Sequence, residues 1–149
     1  MPRWFTPTAD HLKAAGHGAI IDRARTLAAG GIDPVDTAIA NAVARIQRAL
    51  APGNVLDADR TKIPASFAGV VEKLALFALM ERIGLPQSAD QQQVARDITS
   101  DLNRTSDEKI KAELADTPAT APTFGATGMK VSAVNVPPRQ TGRDRTSGL

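Results

Sequence analysis

The chain of 149 residues contains no cysteine and no tyrosine, and it has only one tryptophan and four phenylalanines. The lack of cysteine excludes disulfides and thiolate metal ligands, and it suits a cytosolic protein. With so few aromatic side chains, the chain is poorly suited to recognise nucleic acids by base stacking. Residues 1–7 lack the apolar core of a signal peptide, and the densest apolar run, 74–80, is far too short to span a bilayer. We therefore expect a protein without membrane contact.

Charge and composition divide the chain near residue 116. From Asp116 onward four basic side chains accompany two acidic ones, which accounts for the whole net charge of +2 and leaves residues 1–115 neutral. The same stretch is rich in proline, glycine and threonine and has no helical periodicity. We therefore expect a folded body at 1–115 and an extended C-terminal arm at 116–149. A neutral body is a weak electrostatic case for DNA binding.

Start and stop signals predict several helices in the body. A helix at 64–85 opens at Ile63-Pro64, closes at Gly84, and is apolar nearly all round between its charged ends. Asp33-Pro34 begins an amphipathic helix at 34–51, and Ser88 begins another at 88–104. Thinner apolar stripes predict short helices at 8–15, 19–29 and 107–114.

These elements predict an all-α fold, a small helical bundle of four to five helices around the central helix 64–85. Within the arm, residues 129–136 can form one short β-strand. The neighbouring helices are too few to cover the central helix on every side. We therefore predict that one flank of it is covered by another subunit or by a returning arm, and the candidate side chains are Leu76, Leu79 and Ile83.

Catalytic, metal-binding and cofactor-binding chemistry has little support in the sequence. His11 and His17 are six residues apart across a glycine, and no third histidine or cysteine exists to complete a metal site. Asp57 and Asp59 lie in a loop with Asn54 that loosely resembles a calcium loop, but the glycine and closing glutamate of an EF-hand are missing. We therefore expect no enzymatic activity, no cofactor and no metal.

A DNA-binding alternative rests on the helices 19–29 and 34–51. They are joined by Gly30-Gly31 and have the coarse shape of a helix-turn-helix. Against this alternative, the arginines of both helices are interleaved with aspartates, and the second helix has few side chains that read bases.

Three stretches carry a resemblance to a known family. They are the Thr-x-x-x-Leu element at 8–12, the helical pair 32–50 and 63–82, and the C-terminal ending 142–149. In these the chain resembles the head–tail adaptor (connector, or head-completion) proteins of tailed bacteriophages and gene transfer agents. The ending is similar to the Arg-Asp-Ser-x-x-Gly-[Leu/Phe] ending of that family, with Arg145 in place of the usual serine.

The resemblance implies a structural virion protein of the phage neck, made in the host cytoplasm and without catalysis. Such proteins form a ring, usually twelve-fold, beneath the portal protein, extend the DNA channel, and present a surface to the next neck or tail component, a stopper or tail terminator. DNA only passes through that channel. The arm is implied to dock on the portal, and our candidates for the contact are Arg139, Arg143, Arg145 and Leu149. Two alternatives stay open: a small helical DNA-binding protein, and a helical assembly factor absent from mature particles.

Overall fold

The computed structural model describes residues 3–28 and 30–119, and 63% of them are helical. The all-α prediction is thereby confirmed. No helix in these two ranges is long and apolar enough to cross a membrane. The elements, in chain order, are β1 (Trp4–Phe5), α1 (Ala9–Leu12), a π-helical stretch (Lys13–His17), α2 (Gly18–Leu27), α3 (Pro34–Leu50), β2 (Ile63–Pro64), a 3-10 turn (Ala65–Phe67), α4 (Ala68–Arg82) and α5 (Ala89–Asp107).

The predicted caps set the ends of the long helices. The Asp33 side chain accepts a hydrogen bond of 2.9 Å from the Val35 amide, with Pro34 in the first helical position of α3. Ser88 and Gln91 form a capping box at the start of α5. Gly84, at a φ of 68°, ends α4 in the left-handed conformation that glycine adopts without steric cost.

The predicted start of the central helix and the predicted helix 107–114 are wrong. Ile63-Pro64 does not open α4 but forms β2, which pairs antiparallel with β1 so that Trp4 faces Pro64 and Phe5 faces Ile63. The predicted helix 107–114 is absent from the described residues, because α5 itself continues to Asp107 and the chain then turns at Lys109, which has a φ of 50°. Both errors come from contacts or turns that local helix signals do not contain.

The centre of the bundle is the pair α3–α4. The two helices share the most extensive contact between elements, and α3 also packs against α1, α2, α5 and β2. The buried face of α3 follows the predicted spacing, and its largest members are Val35, Ile39, Val43, Ile46 and Leu50. The predicted central helix is therefore one member of a central pair.

Candidate interaction surfaces

The two histidines have structural partners. The Nδ1 atom of His11 lies 2.8 Å from the Thr8 hydroxyl and accepts a hydrogen bond of 3.1 Å from the Thr8 amide, which closes the first turn of α1. The Nε2 atom of His17 lies 3.0 Å from a carboxylate oxygen of Glu72 on α4. Within 3–28 and 30–119, no group of three or more acidic or histidine side chains could hold a metal ion.

The loop carrying Asp57 is closed by its own backbone. Asp57 is 1% exposed, and its carboxylate accepts hydrogen bonds from the Asp59 amide at 2.9 Å and the Thr117 amide at 3.0 Å. These hydrogen bonds, chiefly that from Thr117, lower the pKa of the Asp57 carboxyl because they stabilise its charged form. Both carboxylate oxygens of Asp57 therefore accept hydrogen bonds from backbone amides. The acidic residues that loosely resemble a calcium loop thus stabilise the backbone of the loop itself.

Residues 110–119, which we call the strap, follow α5 and lie across this loop. The Asn54 side-chain amide donates to the carbonyls of Leu50, at 3.0 Å, and Ile110, at 2.8 Å, while its oxygen accepts from the Ala112 amide. Farther along, the Ala58 amide donates to the Thr117 carbonyl at 2.8 Å, and the Ala119 amide donates to the carbonyl of residue 56 at 2.9 Å. The first residues of the predicted arm, 116–119, are thus attached to the body.

The N-terminus is fastened to the strap as well. Trp4 is 1% exposed, and its indole N–H donates a 3.0 Å hydrogen bond to the Glu113 carbonyl. The Asp116 carboxylate accepts from the amides of Arg3 and Trp4, at 3.4 and 3.2 Å. The single tryptophan therefore packs inside its own subunit. The hydrogen bonds of Trp4 and of the buried Asp57 join residues that are more than 50 positions apart in the chain. No local sequence signal predicts these long-range contacts.

The predicted subunit-contact residues of α4 are core residues. Leu76, Leu79 and Ile83 are 8%, 1% and 7% exposed within the single chain. Four helices of the same chain contact α4, namely α1, α2, α3 and α5, so the cover is available within one subunit. The prediction that this flank needs a neighbouring subunit is corrected accordingly. The portal-contact candidates Arg139, Arg143, Arg145 and Leu149, and the predicted strand 129–136, lie outside the described residues.

Two large aliphatic side chains project beside the turn between α2 and α3. Ile32 is 84% exposed and Leu27 is 61% exposed, and we call this pair the knob. Ile32 precedes the N-cap Asp33, a position whose apolar side chain often packs against the fourth helical residue. Here that residue is Thr37, which is polar, so Ile32 has no such partner on its own helix. An apolar residue before the N-cap with a polar residue at the fourth helical position is therefore the sequence signal by which Ile32 of the knob could have been predicted to be exposed.

An apolar groove of about 450 Å³, the α3 groove, runs along the outer side of α3. Its floor is formed by α3 and its walls by the segment before α1 and the loop before β2; the lining residues are Thr6, Pro7, Thr8, Asp36, Ile39, Ala40, Val43, Ala44, Gln47, Arg60 and Thr61. Both walls are tied in place: the hydroxyls of Thr6 and Thr61 lie 3.3 Å apart, and Gln47 donates to the Arg60 and Lys62 carbonyls.

A second groove, of about 490 Å³, lies between the loop 53–55 and the strap. It exposes Val55 and Leu114, at 60% and 74%, and Pro118 forms part of its wall. Comparisons with protein-family models, with curated proteins and with solved structures found no match.

Proposed function

We propose that this chain is a structural protein of the phage neck, a head–tail adaptor that assembles as a ring beneath the portal protein and joins head to tail. The observation that supports this proposal best is the strap. Because Asn54 and Asp57 hold residues 110–119 on the body, the remaining arm, 120–149, starts from a fixed point. A docking peptide at the end of an arm is effective when the root of that arm is anchored.

The length and chemistry of the arm suit a contact with a partner. Thirty residues reach roughly 100 Å at most if fully extended, at about 3.3 Å per residue. Residues 120–149 carry four basic side chains and one acidic one. The guanidinium groups of Arg139, Arg143 and Arg145 can each form forked hydrogen bonds with acidic side chains of the portal. Burial of Leu149 in a portal pocket would add about 1.5–3 kcal/mol for each subunit.

Weak single arms are sufficient under this proposal, because a ring presents many of them at once. Binding of the first arms raises the effective concentration of the others, so the ring binds far more tightly than one arm does. The body then has two tasks, to contact its own copies and to present a surface to the stopper or tail terminator. Its neutral charge suits a ring through which DNA only passes.

The test is a binding assay between the full chain and the cognate portal protein. Deletion of residues 140–149 should abolish attachment and leave the thermal unfolding midpoint nearly unchanged, because the hydrophobic core is built from residues 4–102 and the strap bonds involve residues up to 119. The double variant Arg143→Ala/Arg145→Ala should weaken attachment. A control, Arg96→Ala on the exposed side of α5, should have no effect. Undiminished attachment after the deletion would show that the arm is not the anchor.

Two further measurements separate the alternatives. A small helical DNA-binding protein would bind duplex DNA at low salt, with an affinity that falls steeply as salt rises. Absence of low-salt binding would remove that alternative. A helical assembly factor would be missing from purified particles, whereas a neck protein is present in them at a fixed number of copies.

A further inference from the structure

The strap and β1 hold each other on the body by hydrogen bonds, and neither contributes a fully buried side chain to the main hydrophobic cluster. We propose that the strap and β1 open together as one unit, which we call the latch, while the helices stay folded. Opening uncovers Trp4 and frees residues 110–119. This inference concerns the body alone and does not depend on the neck function.

The strap buries neither of its two large aliphatic side chains. Leu114 is 74% exposed and Ile110 is 38% exposed. The strap residues with intermediate burial are three alanines, Ala112, Ala115 and Ala119. Segments with few buried apolar contacts open locally at a lower free energy than the core of a protein does. The strap is therefore held mainly by its hydrogen bonds.

Three sets of hydrogen bonds fasten the strap, and they are spaced along its length. Asn54 binds its start, β1 binds its middle, and the loop 56–58 binds its end. In the middle set the strap supplies the acceptors, which are the Glu113 carbonyl and the Asp116 carboxylate. Departure of the strap therefore removes hydrogen-bond acceptors from β1.

Trp4 is buried, but it lies outside the main hydrophobic cluster of the body. Its strand, β1, has two residues and pairs with the equally short β2, and a strand pair of this size is marginal by itself. Once the strap leaves, the indole N–H and the backbone amide of Trp4 both lose their acceptors. Because a buried donor without an acceptor is costly, we expect Trp4 to become exposed in the same step.

Opening of the latch changes the surface of the body in two ways. It frees the ten residues of the strap, which reach roughly 33 Å when fully extended, at about 3.3 Å per residue. It also exposes a tryptophan side chain, a type that is enriched at protein interfaces. A partner that binds either feature would shift the population toward the open form.

Hydrogen exchange of the full chain, followed by nuclear magnetic resonance, measures this opening. Trp4 gives the single indole N–H signal of the chain, and the amides of Thr117 and Ala119 report on the end of the strap. We expect the protection factors of these three protons to agree within about threefold. They should be lower than those of the α3 and α4 amides by about a hundredfold or more, because the core stays folded when the latch opens.

A disulfide between the loop and the strap locks the latch, and the chain has no native cysteine to interfere. Ala58 and Thr117 are exposed neighbours across the antiparallel bridge, and the Ala58 amide donates to the Thr117 carbonyl. Such neighbours have Cα atoms about 5.5 Å apart, which is within the range of a disulfide.

Oxidation of Ala58→Cys/Thr117→Cys should narrow the difference in protection between the Trp4 indole and the α3 amides by about tenfold or more. The hydrogen bonds of Trp4 itself are untouched by this change, so the effect measures coupling between the strap and β1. The reduced form of the same variant is the matched control and should retain the full difference. A general stabilisation by the disulfide would widen the difference, since it protects the core amides as well.

A second variant tests the coupling from the side of β1. Asp116→Ala removes the acceptor of the Arg3 and Trp4 amides and leaves the hydrogen bonds of Thr117 and Ala119 in place. The protection factors of Thr117 and Ala119 should nevertheless fall about fivefold. Asp101→Ala, at an exposed position of α5, is the control and should leave them unchanged.

Four results would overturn the proposal. The Trp4 indole, or the Thr117 and Ala119 amides, could be as strongly protected as the amides of α3. The disulfide could leave the difference between Trp4 and α3 unchanged or wider, which would mean that the strap and β1 open separately. Unchanged protection of Thr117 and Ala119 in Asp116→Ala would lead to the same conclusion.

Discussion

Replacement of Leu79 by alanine tests whether this residue belongs to the core of the body or to a surface that something else covers. The sequence predicts that Leu79 lies on a flank of α4 covered by a neighbouring subunit or by a returning arm, whereas the structure places it in the core of the body, 1% exposed. In the first case the isolated subunit loses little when the side chain is shortened. In the second case the change removes buried methyl groups and leaves a cavity between α3 and α4.

The expected loss follows from this burial. Leucine-to-alanine substitutions at fully buried sites cost about 2–5 kcal/mol, the sum of the lost transfer free energy and the cavity term. With four helices packed around α4, little collapse of the cavity is expected, and we predict a loss of about 3 kcal/mol in the free energy of unfolding. For a body of this size that corresponds to a decrease of roughly 12 °C in the unfolding midpoint.

Urea unfolding, followed by far-ultraviolet circular dichroism and by fluorescence of the single tryptophan, measures this loss directly. Leu114→Ala is the matched control, because it makes the same chemical change at a side chain that is 74% exposed; it should change stability by less than about 0.5 kcal/mol. A loss below about 1 kcal/mol for Leu79→Ala, accompanied by impaired self-association, would refute the core assignment.

Two other predictions concern the loop and the strap. Because hydrogen bonds from the Thr117 and Asp59 amides lower the folded-state pKa of Asp57, its contribution to stability is present above the unfolded pKa of about 3.9 and is lost as the pH falls through the folded value. Asp57→Asn should therefore lower the urea midpoint at pH 7 and reduce the difference between pH 7 and pH 2; an unchanged difference would contradict this. A methyl group added by Gly53→Ala would meet the Lys109 carbonyl oxygen at an impossibly short distance, so we expect a loss of about 1–3 kcal/mol. Gly69→Ala, in the open first turn of α4, should instead stabilise by about 0.5 kcal/mol, and equal effects in thermal melts would refute the steric argument.

The helices could be predicted because their signals are local. Asp33-Pro34 and Ser88 each satisfy amides within three residues, and Gly84 supplies the left-handed residue at which α4 ends. The periodicity of α3 likewise appears in consecutive residues. These short-range preferences act before any tertiary contact forms, so a single sequence contains them in full.

The strap, the two short strands and the cover of α4 could not be predicted, because each depends on distant partners. Asp57 and Thr117 are 60 positions apart, and Trp4 and Glu113 are 109 apart. Leu79 looked insufficiently covered because a sequence does not show how many helices surround one helix. The partners of Asp57 were unpredictable for the same reason, since they are backbone amides that carry no residue signature.

The strap has a consequence for how force and binding energy would pass between arm and body in the proposed ring. Tension on the arm would reach the body through the hydrogen bonds between residues 116–119 and the loop 54–58. The same strap closes over Trp4, whose indole donates to Glu113, so tension would also act on the packing of the N-terminus. The knob and the α3 groove involve α2, α3 and the segments beside them, and the strap lines neither surface. In the proposed ring, a load on the arm would therefore act on the strap and on neither of these two surfaces, and substitutions in the strap leave both surfaces measurable.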